Sequence, residues 1–192
     1  FLFLVMMFAM TVPFILWNNH LLVERVKQVT NVDKKADRLL LLSSKRIESS
    51  RVNLMRFLQN LIPSVQESLS DATQAAQLLA EAEKLLIAQE QNVAVKQAIE
   101  TLTKYQSLIQ QIGNQRGGGG DNESSRLGLT ALKTGSDISF QTEDIVEKNE
   151  ARVADENRMA DTRIKTNLRL LMVFAAGALI FSLVLAFFVG RS

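Results

Sequence analysis

The chain has 192 residues, no Cys and one His, and its 22 Lys and Arg against 20 Asp and Glu leave a net charge of +2. That near-balance points to no polyanionic partner, so nucleic acid is not expected, and the missing Cys excludes disulfide staples. Two Pro, one Tyr, one Trp and no Gly before Gly113 describe a helix-forming chain.

All twenty acidic residues lie between Glu24 and Asp161, so the charge occupies a central block with an apolar segment at each end. The first segment, Phe1 to Trp17, is interrupted only by Thr11 and Pro13. It reads as a first transmembrane helix (1–17), trimmed at its start because neither Met nor a basic flank precedes it. A signal-peptide core is the competing reading, but the segment is long for one and lacks a small-x-small cleavage site. Trp17, with Asn18, Asn19 and His20 behind it, suits the membrane–water interface. His20 has no second His or Cys to share a metal with, so no metal site and no cofactor are expected.

From Leu22 a heptad seam runs without a slip through Val26, Val29, Asp33, Ala36, Leu40, Ser43, Ile47, Ser50, Leu54, Phe57 and Leu61. Nine of these twelve are apolar, which signals a helix that packs lengthwise on others. The helix should end near Leu61, and it carries nine Lys or Arg against four acids. Pro63 ends it, and Ser64 with Glu67 three positions later reads as a capping box opening a second helix. That helix shows an apolar face of Val65, Leu69, Ala72, Ala76, Leu79 and Leu86, and its end falls near Gln89 to Asn92. A third follows with the seam Val95, Ala98, Leu102, Tyr105, Ile109 and Ile112. Gly113 to Ser125, with four consecutive Gly, reads as a flexible surface loop. It is no phosphate cradle, since no strand precedes it and no Gly-Lys-Ser/Thr follows.

The fourth helix starts near Glu123 and runs directly into the second apolar segment. Its apolar positions are Leu127, Ala131, Leu132, Ile138, Ile145, Val146, Val153, Met159 and Ile164, and it turns strongly polar between Glu147 and Lys165. Leu170 to Val189 is twenty residues without a charge, long enough at about 1.5 Å per residue to cross a bilayer core of roughly 30 Å. Ala178, Ser182 and Ala186 form a small-residue ridge along it, where another membrane helix can approach. If both apolar ends span the membrane, the chain between them must leave and return, which requires an even number of long helices. The expected fold is therefore all-α: an up-down-up-down four-helix bundle (18–169) between a first (1–17) and a second (170–190) transmembrane helix.

This plan resembles the sensor module of bacterial transmembrane receptors, and the ending Phe187-Phe188-Val189-Gly190-Arg191-Ser192 is similar to the junction into a HAMP domain, with 191–192 its start. The families concerned are methyl-accepting chemotaxis receptors and sensor histidine kinases. A sharper resemblance lies in Ser49-Ser50-Arg51-Val52-Asn53-Leu54-Met55-Arg56, whose Arg-x4-Arg spacing is shared with amino-acid chemoreceptors and with nitrate sensor kinases. By that resemblance Arg51 and Arg56 hold a small anion, a carboxylate or nitrate, at a homodimer interface. Five helical positions turn by roughly 500°, so the two side chains leave one helix some 140° apart. Arg51 of one chain can then meet Arg56 of another at one ligand, and guanidinium binds two oxygens together. The amino-acid receptors have a third Arg where this chain has Asn60, which argues against an α-amino-acid ligand. Phe140, Gln141 and Thr142 resemble the segment that holds a ligand's amino group in those receptors, without their Pro; Ser136 and Asp137 are closer in height to Arg51.

The resemblance implies a multi-pass protein of the bacterial inner membrane with a periplasmic central domain, membrane lipid around its ends, and cytoplasmic signalling domains beyond Ser192. No enzyme is expected, because catalysis needs a nucleophile–base pair or a metal. The competing class is a structural, membrane-anchored coiled coil with no small ligand.

Overall fold

The computed structural model describes residues 2–86, 88–115 and 121–189, with side chains from Met10 onward except at 121–124, 185 and 189. The protein is all-α, and no strand occurs among the described residues. Its helices are α1 (Leu2–Leu58), α2 (Gln66–Leu85), α3 (Gln89–Gln115) and α4 (Asp121–Val189). They form two compact units: Asn31–Arg152, and the segments before and after it.

In the Asn31–Arg152 unit one hydrophobic core draws on all four helices. The third seam is buried at every expected position, from Val95 to Ile112. Within this unit the first seam is buried from Asp33 to Phe57, polar members included, whereas Leu61 lies beyond the helix and is exposed. Each fully buried Leu or Ile here contributes about 1.5–3 kcal/mol. Of the face expected for the second helix, Val65, Ala72, Leu79 and Leu86 are buried, and smaller and polar residues join them. Ser68, Asp71, Ala72, Ala75, Leu79 and Ala82 are buried, while Leu69 and Ala76 are only half-buried. Small residues on that face let α2 lie close to α1.

Polar bonds give the pairing. Ser43 Oγ donates to the Ala75 carbonyl (3.0 Å), Arg46 to Asp71 (3.1 Å) and Ser50 Oγ to the Ser68 carbonyl (2.7 Å). Arg152 donates to Asp33 (2.7 Å), Asn149 Nδ2 to Asp37 (2.8 Å) and Ser139 Oγ to Glu48 (3.0 Å). In both sets the number on one helix falls as that on the other rises. Gly128 and Gly135, one heptad apart on α4, lie opposite Leu58 and Arg51, one heptad apart on α1. A Cβ at Gly128 would sit 2.6 Å from Leu58 Cδ1, and one at Gly135 would sit 2.8 Å from Arg51 Cγ and Cδ.

Helix ends differ in detail from the sequence reading. The capping box does not form: Val65 is the N-cap without a side-chain cap bond, and the Ser64 hydroxyl accepts from the Gln66 amide (3.1 Å). The preceding chain reversal leaves Ser64 outside the cap position. α2 ends at Leu85 and α3 begins at Gln89, ahead of the expected Gln89 to Asn92, and Asn92 Nδ2 donates to the Glu83 carbonyl (3.0 Å) from inside α3. Gly113 is helical, within α3, and Gly117 to Gly120 lie outside the described residues.

In the other unit Asn167 Nδ2 donates to Asn19 Oδ1 (2.7 Å), and Asn19 is buried. One helix among the described residues is long and apolar enough to cross a membrane, within Ser125–Phe188 of α4. Met172, Val173, Phe174, Leu179 and Leu183 on it are exposed, as a lipid-facing surface requires. The Ser182 hydroxyl donates to the Ala178 carbonyl (2.8 Å), so the small-residue ridge leaves that donor satisfied within the helix.

Asn60 closes α1. Its φ is 63°, its N–H donates to the Phe57 carbonyl (3.0 Å), and the Leu61 N–H donates to the Arg56 carbonyl (2.9 Å). This is a Schellman cap with Asn in the left-handed position. Asn60→Ala should cost about 1 kcal/mol and Asn60→Gly should be neutral or stabilising, read from thermal unfolding by far-UV circular dichroism.

Candidate functional site

Arg51 lies at the packing surface between α1 and α4, half-buried. Its stem crosses the bare backbone at Gly135, which only a residue without Cβ allows. Its guanidinium pairs with Glu48, one turn earlier on α1, and the same Glu48 oxygen accepts from Ser139 Oγ of α4 (3.0 Å). Arg51 Nε is buried with no hydrogen-bond partner. One position away, Ser50 Oγ lies 3.1 Å from Tyr105 Oη and 3.0 Å from Ser68 Oγ, so hydroxyls of three helices meet in the core. Burial pushes the Tyr105 phenol above its ordinary value, with the Ser50 and Ser68 hydroxyls pulling the other way. The level thus has a cation with one unsatisfied donor, a carboxylate shared between α1 and α4, and a buried hydroxyl cluster behind them.

The other expected site residues are distributed around this level. Arg56 is exposed, one residue inside the last turn of α1, and Asn60 is the α1 cap just described. Phe140 and Gln141 are exposed, Phe140 at 68%. Thr142 is fully buried and its hydroxyl donates to the Ile138 carbonyl (2.8 Å), which leaves it turned into its own helix. Ser136 is half-buried and Asp137 exposed. Neither the cavity of about 580 Å³ beside Phe57, Val65 and Gly113 nor that of about 380 Å³ beside Gln91 and Arg152 is lined by any of the six.

Two further clusters escaped the sequence reading. Asp71 of α2 accepts from Arg46 (3.1 Å), Ser49 (2.6 Å) and Asn53 (3.1 Å), three residues on successive turns of α1. It is a saturated structural clasp. Nearer Asn31, Asp33 and Asp37 stand one turn apart on α1 against Asn149 and Arg152 of α4. Arg152 Nη2 donates to Asp33 (2.7 Å) and to Asn149 Oδ1 (3.1 Å), and Asn149 is fully buried. Asp33 was visible as a polar residue in an apolar seam. That interruption was the signal of a buried partner on another helix.

No family model, curated protein or solved structure matches this chain.

Burial pushes the Asp37 carboxyl above the usual carboxylate value, and neighbouring Glu150 and Asp33 add to the rise against the Asn149 hydrogen bond and Arg152. The folded chain thus holds this proton more tightly than the unfolded chain does. Ionised Asp37 costs stability above its raised value, and that cost is relieved as pH falls through the window down to 3.8. Asp37→Asn keeps an acceptor for Asn149 and removes the charge. It should raise the melting temperature at neutral pH, with the gain over wild type shrinking as pH falls through that window.

Proposed function

We propose that the chain is the extracytoplasmic ligand-sensing module of a methyl-accepting chemotaxis receptor in a bacterial inner membrane. On this reading Asn31–Arg152 is an up-down-up-down four-helix bundle between two transmembrane helices, and the working form is a homodimer. Binding of a small carboxylate or nitrate-like anion passes through α4 to the cytoplasmic signalling domains. A sensor histidine kinase would use the same input module, and the Arg51 and Arg56 spacing favours it equally.

The observation that carries this reading is the exposed face of α1. Leu41, Val52 and Met55 are exposed apolar residues there, and with Glu48 they fall within about 60° of one another around the helix. Arg51 and Arg56 then lie roughly 40° outside opposite edges of that stripe. Two copies packed symmetrically on the stripe bring Arg51 of one toward Arg56 of the other. Support for transmission comes from α4, a single helix from Asp121 to Val189 that makes the Ser139, Asn149 and Arg152 bonds to α1 and also contains the apolar window. A ligand shifts such a module only by its difference in affinity between two arrangements.

The test uses the full chain in lipid nanodiscs, titrated with nitrate, acetate and succinate by calorimetry. One ligand per dimer is expected. Arg51→Ala and Arg56→Ala should each weaken it by about tenfold or more with unchanged helicity, since a charge-assisted hydrogen bond is worth about 1.5–3 kcal/mol. Val52→Glu with Met55→Glu should give monomers by analytical ultracentrifugation and lose the ligand as well. Silence across all three anions would favour the structural coiled coil, and binding that survives Arg51→Ala would reject the site.

A further inference from the structure

Away from Arg51, Ala88 and the start of α3 face residues 144–152 of α4 across a cavity of about 380 Å³. That is the size of a small-molecule site. Ala88, Ala94 and Ile145 give it an apolar floor, and its charged lining is balanced: Glu90 and Asp144 against Lys148 and Arg152. Asp144 pairs with Lys148 (2.8 Å), which raises the Lys148 pKa and keeps it cationic. The decisive residue is Gln91. It is only 7% exposed, it lines this cavity, and its Oε1 has no hydrogen-bond partner. A buried amide oxygen is ordinarily paired, so this one points to a donor from outside the chain.

We propose that this cavity binds a small zwitterion with a primary ammonium and a carboxylate: Gln91 Oε1, Glu90 and Asp144 take the ammonium, and Lys148 and Arg152 take the carboxylate. A balanced lining disfavours a net anion or a net cation, because either leaves one pair of charges uncompensated. The unpartnered acceptor requires N–H donors, which a quaternary ammonium lacks. Arg152 joins the site to the rest of the fold. Its Nη2 already holds Asp33 of α1 and Asn149, so a ligand carboxylate at the same guanidinium competes with Asp33. Occupancy would thus loosen the α1–α4 bond at Asp33. The site is separate from Arg51 and Arg56 and does not depend on what they bind.

The full chain in nanodiscs is titrated calorimetrically with glycine, the common L-amino acids, β-alanine and γ-aminobutyrate. Acetate, methylammonium and glycine betaine serve as controls. At least one zwitterion should bind once per chain, and all three controls should fail. Gln91→Leu and Lys148→Ala should each weaken that zwitterion by about tenfold or more, as expected for loss of a hydrogen bond to a charged group, while Arg51→Ala leaves it unchanged. Lys148 is exposed, so its variant reads the site without disturbing the core. No binding by any zwitterion overturns the proposal. So does equal binding of glycine betaine, or binding unaffected by Lys148→Ala. Loss on Arg51→Ala instead would place the ligand at the other site, overturning this proposal while leaving the anion-site reading standing.

Discussion

Polar side chains in an apolar seam have to find partners, and in the Asn31–Arg152 unit that requirement sets the register of the helices. The α1 seam carries three polar members, Asp33, Ser43 and Ser50, all fully buried. Asp33 meets Arg152 of α4, Ser43 meets the Ala75 carbonyl of α2, and Ser50 meets Ser68 of α2 and Tyr105 of α3. Each buried group left unpaired would cost about 1–3 kcal/mol. Apolar contacts tolerate a slide of one helix along another far better than these bonds do. Hydrophobic burial therefore holds the core together, and the three polar positions choose one alignment from the many that burial alone would accept.

That division explains what could be read in advance. Periodicity of large apolar residues located the buried face of α3 to the residue and that of α1 from Asp33 to Phe57, because Leu, Ile and Val at heptad spacing have one way to leave water. For α2 it found Val65, Ala72, Leu79 and Leu86 but not Ser68, Asp71, Ala75 and Ala82, which are buried beside them while Leu69 is half-buried. Ala carries too little apolar surface to announce its direction. The end of α2 at Leu85 was hidden for a related reason, having neither Gly nor Pro to mark it.

The candidate site was legible in its residue types and not in its geometry. The spacing of Arg51 and Arg56 set their angle around α1; in the structure Arg51 is half-buried on Glu48 and Arg56 is exposed. Pattern gave no hint that Asn60 would serve as a left-handed helix cap, or that Thr142 would turn its hydroxyl back to Ile138. The helix end took the Asn60 backbone, and the Ile138 carbonyl took the Thr142 hydroxyl. The Asp33, Asp37, Asn149 and Arg152 cluster pairs residues more than a hundred positions apart, and such a pairing follows only once the helices are aligned.

Gly135 has a consequence at the level of inheritance. Every single-base change in a glycine codon that encodes another residue adds a side chain. Here the first atom of that side chain falls on the flexible stem of Arg51, with Tyr105 Cε2 next at 3.2 Å. A stem can swing aside where a backbone cannot, so the fold would survive while the guanidinium left Glu48. Genetic drift at this one codon would adjust the Arg51 level in steps without dismantling the helices that carry it. Position 135 therefore governs where the Arg51 guanidinium lies, separately from whether the helices pack.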